Sequence, residues 1–155
     1  MFKNVLVPLD GSEHSLRALE TAIQIAKKFD AKMTLIHVYS VTVTPVIMPE
    51  PTTLTPSGVP VMTPAEVTKI VETAREAGQK ILADGKRKVE SEHIAVETVL
   101  KEGNTVQEIT KLAKEAKSDL IVMGVKGISK LRELLVGSVS EGVIRQAPCP
   151  VLVVK

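Results

Sequence analysis

Short apolar runs alternate with longer stretches of helical repeat along most of this chain. Asn4 to Leu9 is a short apolar run in which Pro8 marks the approach of a strand end. Asp10-Gly11-Ser12 follows as a tight turn, and Ser12 is suited to cap the next helix. From Ser12 to Phe29 the apolar residues Leu16, Leu19, Ile23 and Ala26 recur at the spacing that lays one stripe of a helix on a sheet. Lys32 to Tyr39 predicts a second strand, and strand-helix-strand at this length implies a right-handed parallel crossover.

Ser40 to Pro64 breaks the pattern, with five prolines before Pro64 and many threonines around apolar Val46, Ile47, Met48, Val59, Val61 and Met62. Proline removes backbone donors and fixes φ, so the expectation is an irregular segment, either a solvated linker or, given its apolar residues, one that packs on a second subunit or on a ligand pocket. Ala65 to about Ser91 predicts a long helix with Val67, Ile70, Val71, Ala74, Ile81 and Leu82 on its apolar side, weakened at Gly78 and kinked at Gly85. Ile94 to Leu100 predicts a third strand. Asn104 or Thr105 then caps a helix running to about Lys117, and Thr105 with Glu108 reads as a capping box. Leu120 to Met123 is the fourth strand, Ser138 to Gln146 a short helix, and Val151 to Val154 a uniformly apolar fifth strand. Five strands alternating with helices predict a doubly wound, Rossmann-like α/β sheet with helices on both faces, in one domain over residues 1–155.

Composition narrows the chemistry. A net charge of +2 without a concentrated basic stretch gives no reason to expect nucleic acid or a membrane surface as partner. Aromatic residues make up 2% of the chain, which excludes a base-stacking platform and leaves Val, Ile, Leu and Ala to build the core. The only cysteine, Cys149, rules out an intrachain disulfide and suits a reducing compartment. With no long apolar segment at the start, the expectation is a cytoplasmic protein without signal peptide or membrane span. His37, inside the second strand with no second His or Cys nearby, reads as a satisfied core or edge histidine. Cys149, between prolines, reads as a small buried residue.

The most informative stretch runs from Leu120 to Ser140. An apolar strand empties at Gly124, a second glycine follows at Gly127, and after nine further residues come Gly137 and Ser138, opening a helix whose first N–H groups are free for an anion. No Lys precedes Ser138, so this is not a Walker A loop, nor is it a Gly-x-Gly-x-x-Gly fingerprint. The spacing Gly-x-x-Gly, nine residues, Gly-Ser resembles the pattern of the nucleotide-binding branch of the universal stress protein family. The ending from Gly137 to Val154 resembles that family too.

The resemblance implies the strand order 3-2-1-4-5. In such a sheet the ligand crevice lies at the carboxyl ends of strands 1 and 4, where the winding reverses. The residues expected there are Pro8, Leu9 and Asp10 from strand 1, Val38 from strand 2, Met123, Gly124 and Gly127 from strand 4, and Gly137, Ser138, Val139 and Ser140 from the helix start. Asp10 would accept from adenine or ribose, although an Asx turn explains the same residue equally well from sequence. The glycines would admit ribose and α-phosphate, and the helix start would offer donors to the outer phosphates. The implied ligand is ATP, or ADP or AMP, with Mg²⁺ held mainly by phosphate and water. No catalytic and no metal-ligating residue is assigned.

The function so implied is an ATP-binding regulatory or stress-response module with at most slow hydrolysis. It would form a homodimer with two-fold symmetry through strand Val151–Val154. One alternative is a nucleotide-free dimerisation module. Another, less favoured, is an adenylyl-transfer or ATP pyrophosphatase enzyme, whose Ser-Gly-Gly-x-Asp-Ser loop and His-x-Gly-His motif are absent here.

Overall fold

The structure is a computed structural model that describes residues 1–41, 62–125 and 137–155. Its elements in chain order are β1 (Asn4–Pro8), α1 (Glu13–Phe29), β2 (Lys32–Tyr39), α2 (Pro64–Glu90), β3 (Val96–Glu102), α3 (Thr105–Glu115), β4 (Leu120–Gly124), α4 (Ser138–Gln146) and β5 (Val151–Val154). Every strand pairing is parallel and the sheet order is β3-β2-β1-β4-β5, as expected. The chain therefore builds outward from β1 in one direction, then crosses back to β4 on the other side.

Successive strand residues face opposite sides of a sheet, so the same short apolar runs feed two cores. Val5, Val7, Met33, Leu35, Leu120 and Val122 pack with α1 and with Leu82 and Val89 of α2. Leu6, Ile36, Ile121 and Met123 pack on the other face with Ile109 and Ala113 of α3 and Val143 of α4. Burial on both faces is why β1 and β4 read as unbroken apolar runs rather than alternating ones.

The helices differ from the sequence-based expectation in ways that packing explains. In α1 the buried face is Ser15, Ala18, Leu19, Ala22, Ile23 and Ala26, while Leu16 is 45% exposed. Pro64, assigned from sequence to the irregular segment, is the first residue of α2, where a missing N–H costs nothing. Thr63 caps this helix in a reciprocal box with Glu66.

Neither Gly78 nor Gly85 interrupts α2. Both are buried, facing the sheet, and a Cβ at Gly85 would stand 2.7 Å from Leu9 Cδ1. The glycines let the helix approach closely. The expected apolar side of α2 is correspondingly corrected: Gly78, Leu82, Gly85 and Val89 are buried, whereas Ile70 is 42% exposed.

In α3 the cap is Asn104, whose side chain accepts from Gln107 N, so the Thr105–Glu108 capping box does not form. That helix ends at Glu115, and Lys117 lies beyond it with φ 49°. Strand β3 runs later than expected, through Lys101 and Glu102. Of the Pro/Thr-rich segment and the glycine loop, residues 42–61 and 126–136 lie outside the described residues.

Candidate functional site

The winding reverses between β1 and β4, so the crevice that fold rules favour lies at the carboxyl ends of these two strands. Two helix starts converge there. The first turn of α1 presses on β4: a Cβ at Gly124 would lie 2.7 Å from the carbonyl carbon of His14 and 2.9 Å from its oxygen. Gly124 thus has a packing reason of its own. Helix α4 reaches the same corner, because Gly137 N donates to the Val125 carbonyl at 2.9 Å and the Ser140 hydroxyl lies 2.8 Å from that oxygen.

The two helix starts differ in how their N–H groups are used. At α1 the Ser12 side chain accepts from Ser15 N, and Ser15 Oγ donates back to the Ser12 carbonyl. At α4 the cap is Gly137, which has no side chain to offer. Among the described residues no hydrogen bond occupies the N–H groups of Ser138, Val139 and Ser140. Ser138 is exposed, whereas Ser140 is 2% exposed and spends its hydroxyl proton on Val125 or Gly137 carbonyls. The anion-binding potential of this start therefore lies in its backbone. Gly127, with Lys126, Lys130 and Arg132, lies outside the described residues.

Asp10 is half-buried at the end of β1, with its Oδ1 accepting from Ser12 N at 2.9 Å. That is the Asx turn weighed in the sequence reading. It leaves Oδ2 with no hydrogen bond among the described residues, so the turn orients the carboxylate while one oxygen stays available. Pro8 ends β1 in register with Ile36, Asp10 lies two residues beyond Pro8, and Val38 lies two residues beyond Ile36 on β2. Val38 is half-buried against the α3 and α4 core. Leu9 and Met123 are 3% and 4% exposed with their side chains in the two cores. Only their backbone groups can face a ligand.

Two histidines flank this arrangement and were not assigned to it from sequence. His37 Nδ1 lies 2.7 Å from the Leu9 carbonyl, which accepts its proton. His14 Nδ1 is buried with no partner among the described residues. Neither signal is local, so single-residue context did not reveal it. Cys149 is half-buried rather than buried, against the α3 and α4 core, and burial pushes its thiol above the ordinary cysteine range. Among the described residues no group of three or more His, Cys, Asp or Glu is placed to hold a metal ion, and no helix is long and apolar enough to cross a membrane.

Comparison with known proteins agrees with this architecture. A family model described as the universal stress protein family matches residues 1–155. A universal stress protein of Methanocaldococcus jannaschii is 40% identical over 155 residues, covering 100% of this chain and 83% of the relative. The universal stress protein YxiE of Bacillus subtilis is 35% identical, with 100% of both chains covered. A crystal structure of a universal stress protein in complex with cAMP is 27% identical with a TM-score of 0.64, covering 99% of this chain and 96% of that one. With the whole chain matched in sequence and its strand order in place, this protein belongs to the universal stress protein family.

Proposed function

We propose that the chain acts as a single domain that binds an adenine nucleotide, ATP foremost, in the crevice between the ends of β1 and β4, and serves as a nucleotide-dependent regulatory module in the cytoplasm. The observation that carries this reading is the start of α4. Its N–H groups at Ser138, Val139 and Ser140 have no hydrogen-bond partner among the described residues and stand against the end of β4, at the same carboxyl end of the sheet as the Asp10 carboxylate. Backbone donors at a helix start suit phosphate, and a carboxylate suits ribose or adenine donors. The residues present fit such a ligand. The cAMP complex of a relative 27% identical supports an adenine nucleotide as the class.

In this reading Pro8, Leu9, Asp10 and Val38 flank the adenosine, Met123, Gly124 and Gly127 border the ribose and first phosphate, and Gly137 to Ser140 receive the outer phosphates. A Mg²⁺ ion accompanying ATP draws its ligands from phosphate and water. Hydrolysis is at most slow, because the sequence of the glycine loop concentrates no Asp, Glu or His for phosphoryl transfer. The proposed assembly is a homodimer through β5, an edge strand of the sheet.

One observation favours a second reading. Gly124 is explained by the His14 backbone without any ligand, as a nucleotide-free dimerisation module would require. Heat-denaturing the purified protein and identifying released nucleotide by chromatography with mass detection separates the two, with titration of ATP and Mg²⁺, AMP and cAMP alongside. Bound adenine nucleotide that is lost in Gly137→Val supports the proposal. Wild type that carries none and binds none of the three at millimolar concentration leaves the dimerisation module.

A further inference from the structure

We infer that His37 is a positioning residue for the adenosine end of the crevice, acting through the Leu9–Asp10 peptide. The inference rests on the nucleotide reading and adds to it a side chain outside the residues assigned to the ligand. A carbonyl can only accept, so the 2.7 Å contact between His37 Nδ1 and the Leu9 oxygen puts a proton on Nδ1. The Leu9 carbonyl and the Asp10 N–H belong to one planar peptide. That plane is held on both sides, by His37 at the oxygen and by Ser15 Oγ, which accepts from Asp10 N at 3.4 Å. Leu9 N donates in turn to the Ile36 carbonyl at 2.8 Å. Both polar groups of the Leu9 backbone are therefore tied to β2, one of them by the residue immediately before Val38.

The consequence is geometric. Asp10 leaves a peptide that cannot rotate freely, and its carboxylate is turned by Ser12 N. Asp10, just beyond β1, and Val38, on β2, are two of the candidate adenosine contacts, and the imidazole is one of the ties that hold them relative to each other.

Helix α2 makes room for that ring. A Cβ at Gly78 would stand 2.5 Å from His37 Cδ2, 2.8 Å from Leu100 Cδ1 and 3.1 Å from His37 Nε2. A glycine in the middle of a long helix sacrifices helix stability, so its placement directly over the imidazole is a second sign that the ring's position is specified. An aliphatic side chain would serve the packing against Leu100 and α2 without a polar atom to satisfy.

The test is AMP binding by titration calorimetry for wild type, His37→Leu, His37→Asn, His37→Gln and Gly78→Ala, with thermal unfolding to confirm that each is folded. AMP isolates the adenosine end from the outer phosphates. His37→Leu is expected to weaken AMP about tenfold, the scale of one hydrogen bond. His37→Asn keeps a donor on the branch corresponding to Nδ1 and is expected to recover most of that loss. Gly78→Ala, by displacing the ring, is expected to weaken AMP in the same direction.

If His37→Leu does not fold, the comparison passes to Asn against Gln, whose amide lies on the branch corresponding to Nε2 and is expected to bind less well. Leu binding AMP as tightly as wild type overturns the inference, as does equal loss in Leu and Asn, or Gln binding as well as Asn. Wild type that binds neither AMP nor ATP with Mg²⁺ overturns the nucleotide reading itself, and the inference with it.

Discussion

At the scale of single residues, Gly124 is the position where fold and site are most tightly joined. A Cβ there meets the backbone of His14 rather than the flexible end of a side chain, and backbone cannot step aside without moving the start of α1. Gly124→Ala is expected to destabilise the ligand-free protein by about 1–3 kcal/mol, read as a lower urea midpoint. An unchanged midpoint would mean that the α1–β4 corner yields, and that the glycine is kept for a ligand alone. The Asp10-Gly11-Ser12 turn was legible because its hydrogen bonds are local: Asp10 to Ser12, and Ser12 to Ser15. The partners of His37 and Gly124 lie on other elements, so sequence neighbours carried no trace of them. The packing role of Gly124 was missed for that reason, although its address at the end of β4 was read correctly.

At the scale of elements, periodicity found every helix and strand among the described residues, and the errors concern element ends, the α3 cap, the expected kink at Gly85 and which part of each stripe is covered. Helix α2 has 27 residues, about 40 Å at 1.5 Å per residue. Strand β2 has 8 residues, about 26 Å. The helix is longer than the strand it crosses, so apolar residues near its start, Val67, Ile70 and Val71, are not buried although they share the expected stripe. A pattern in sequence gives the direction of a face but not the length of what it rests on.

Helices α1 and α2 are also joined by charge. Lys88 pairs with Glu20 at 2.6 Å, and Lys27 pairs with Glu92 just beyond α2. These lysines hold the Glu20 and Glu92 carboxyls below the ordinary glutamate range, and the Thr63 backbone does the same for Glu66 in its capping box. A carboxyl whose folded value is depressed stabilises the fold above its unfolded value and loses that contribution as pH falls through the folded one. The thermal midpoint is therefore expected to fall as pH drops below about 4.3. A Glu20→Gln, Glu92→Gln double variant should fall less steeply, and high salt should reduce the difference because the pairs are exposed. Parallel curves for wild type and variant would show that the pairs add nothing.

At the scale of the whole molecule, the order β3-β2-β1-β4-β5 leaves β3 and β5 as the sheet edges. β5 is the shorter and more apolar of the two, with Leu152 exposed on it. An unpaired apolar edge is a template for a second copy. Sedimentation of the purified protein is expected to give a dimer, and Leu152→Lys to shift it toward monomer with a melting temperature that depends less on concentration. A monomeric wild type at all concentrations would remove β5 as an assembly surface. Fold class was legible because strand-helix alternation leaves few topologies to choose among, and the strand order among them came from the family resemblance. The expectation of a dimer came only through family resemblance, since a short apolar strand at the sheet centre and one at its edge look the same in sequence, and sedimentation is what tests it.

The Val125 carbonyl, which receives Gly137 N and lies within reach of the Ser140 hydroxyl, works as a clasp across residues 126–136. Both feet of that stretch are held on the sheet side by bonds that do not involve it. Lengthening a loop between fixed feet costs only about 0.6 kcal/mol per doubling. The clasp therefore ties the end of β4 directly to the start of α4, so that an insertion or deletion between Val125 and Gly137 is expected to leave the strands and helices in their register.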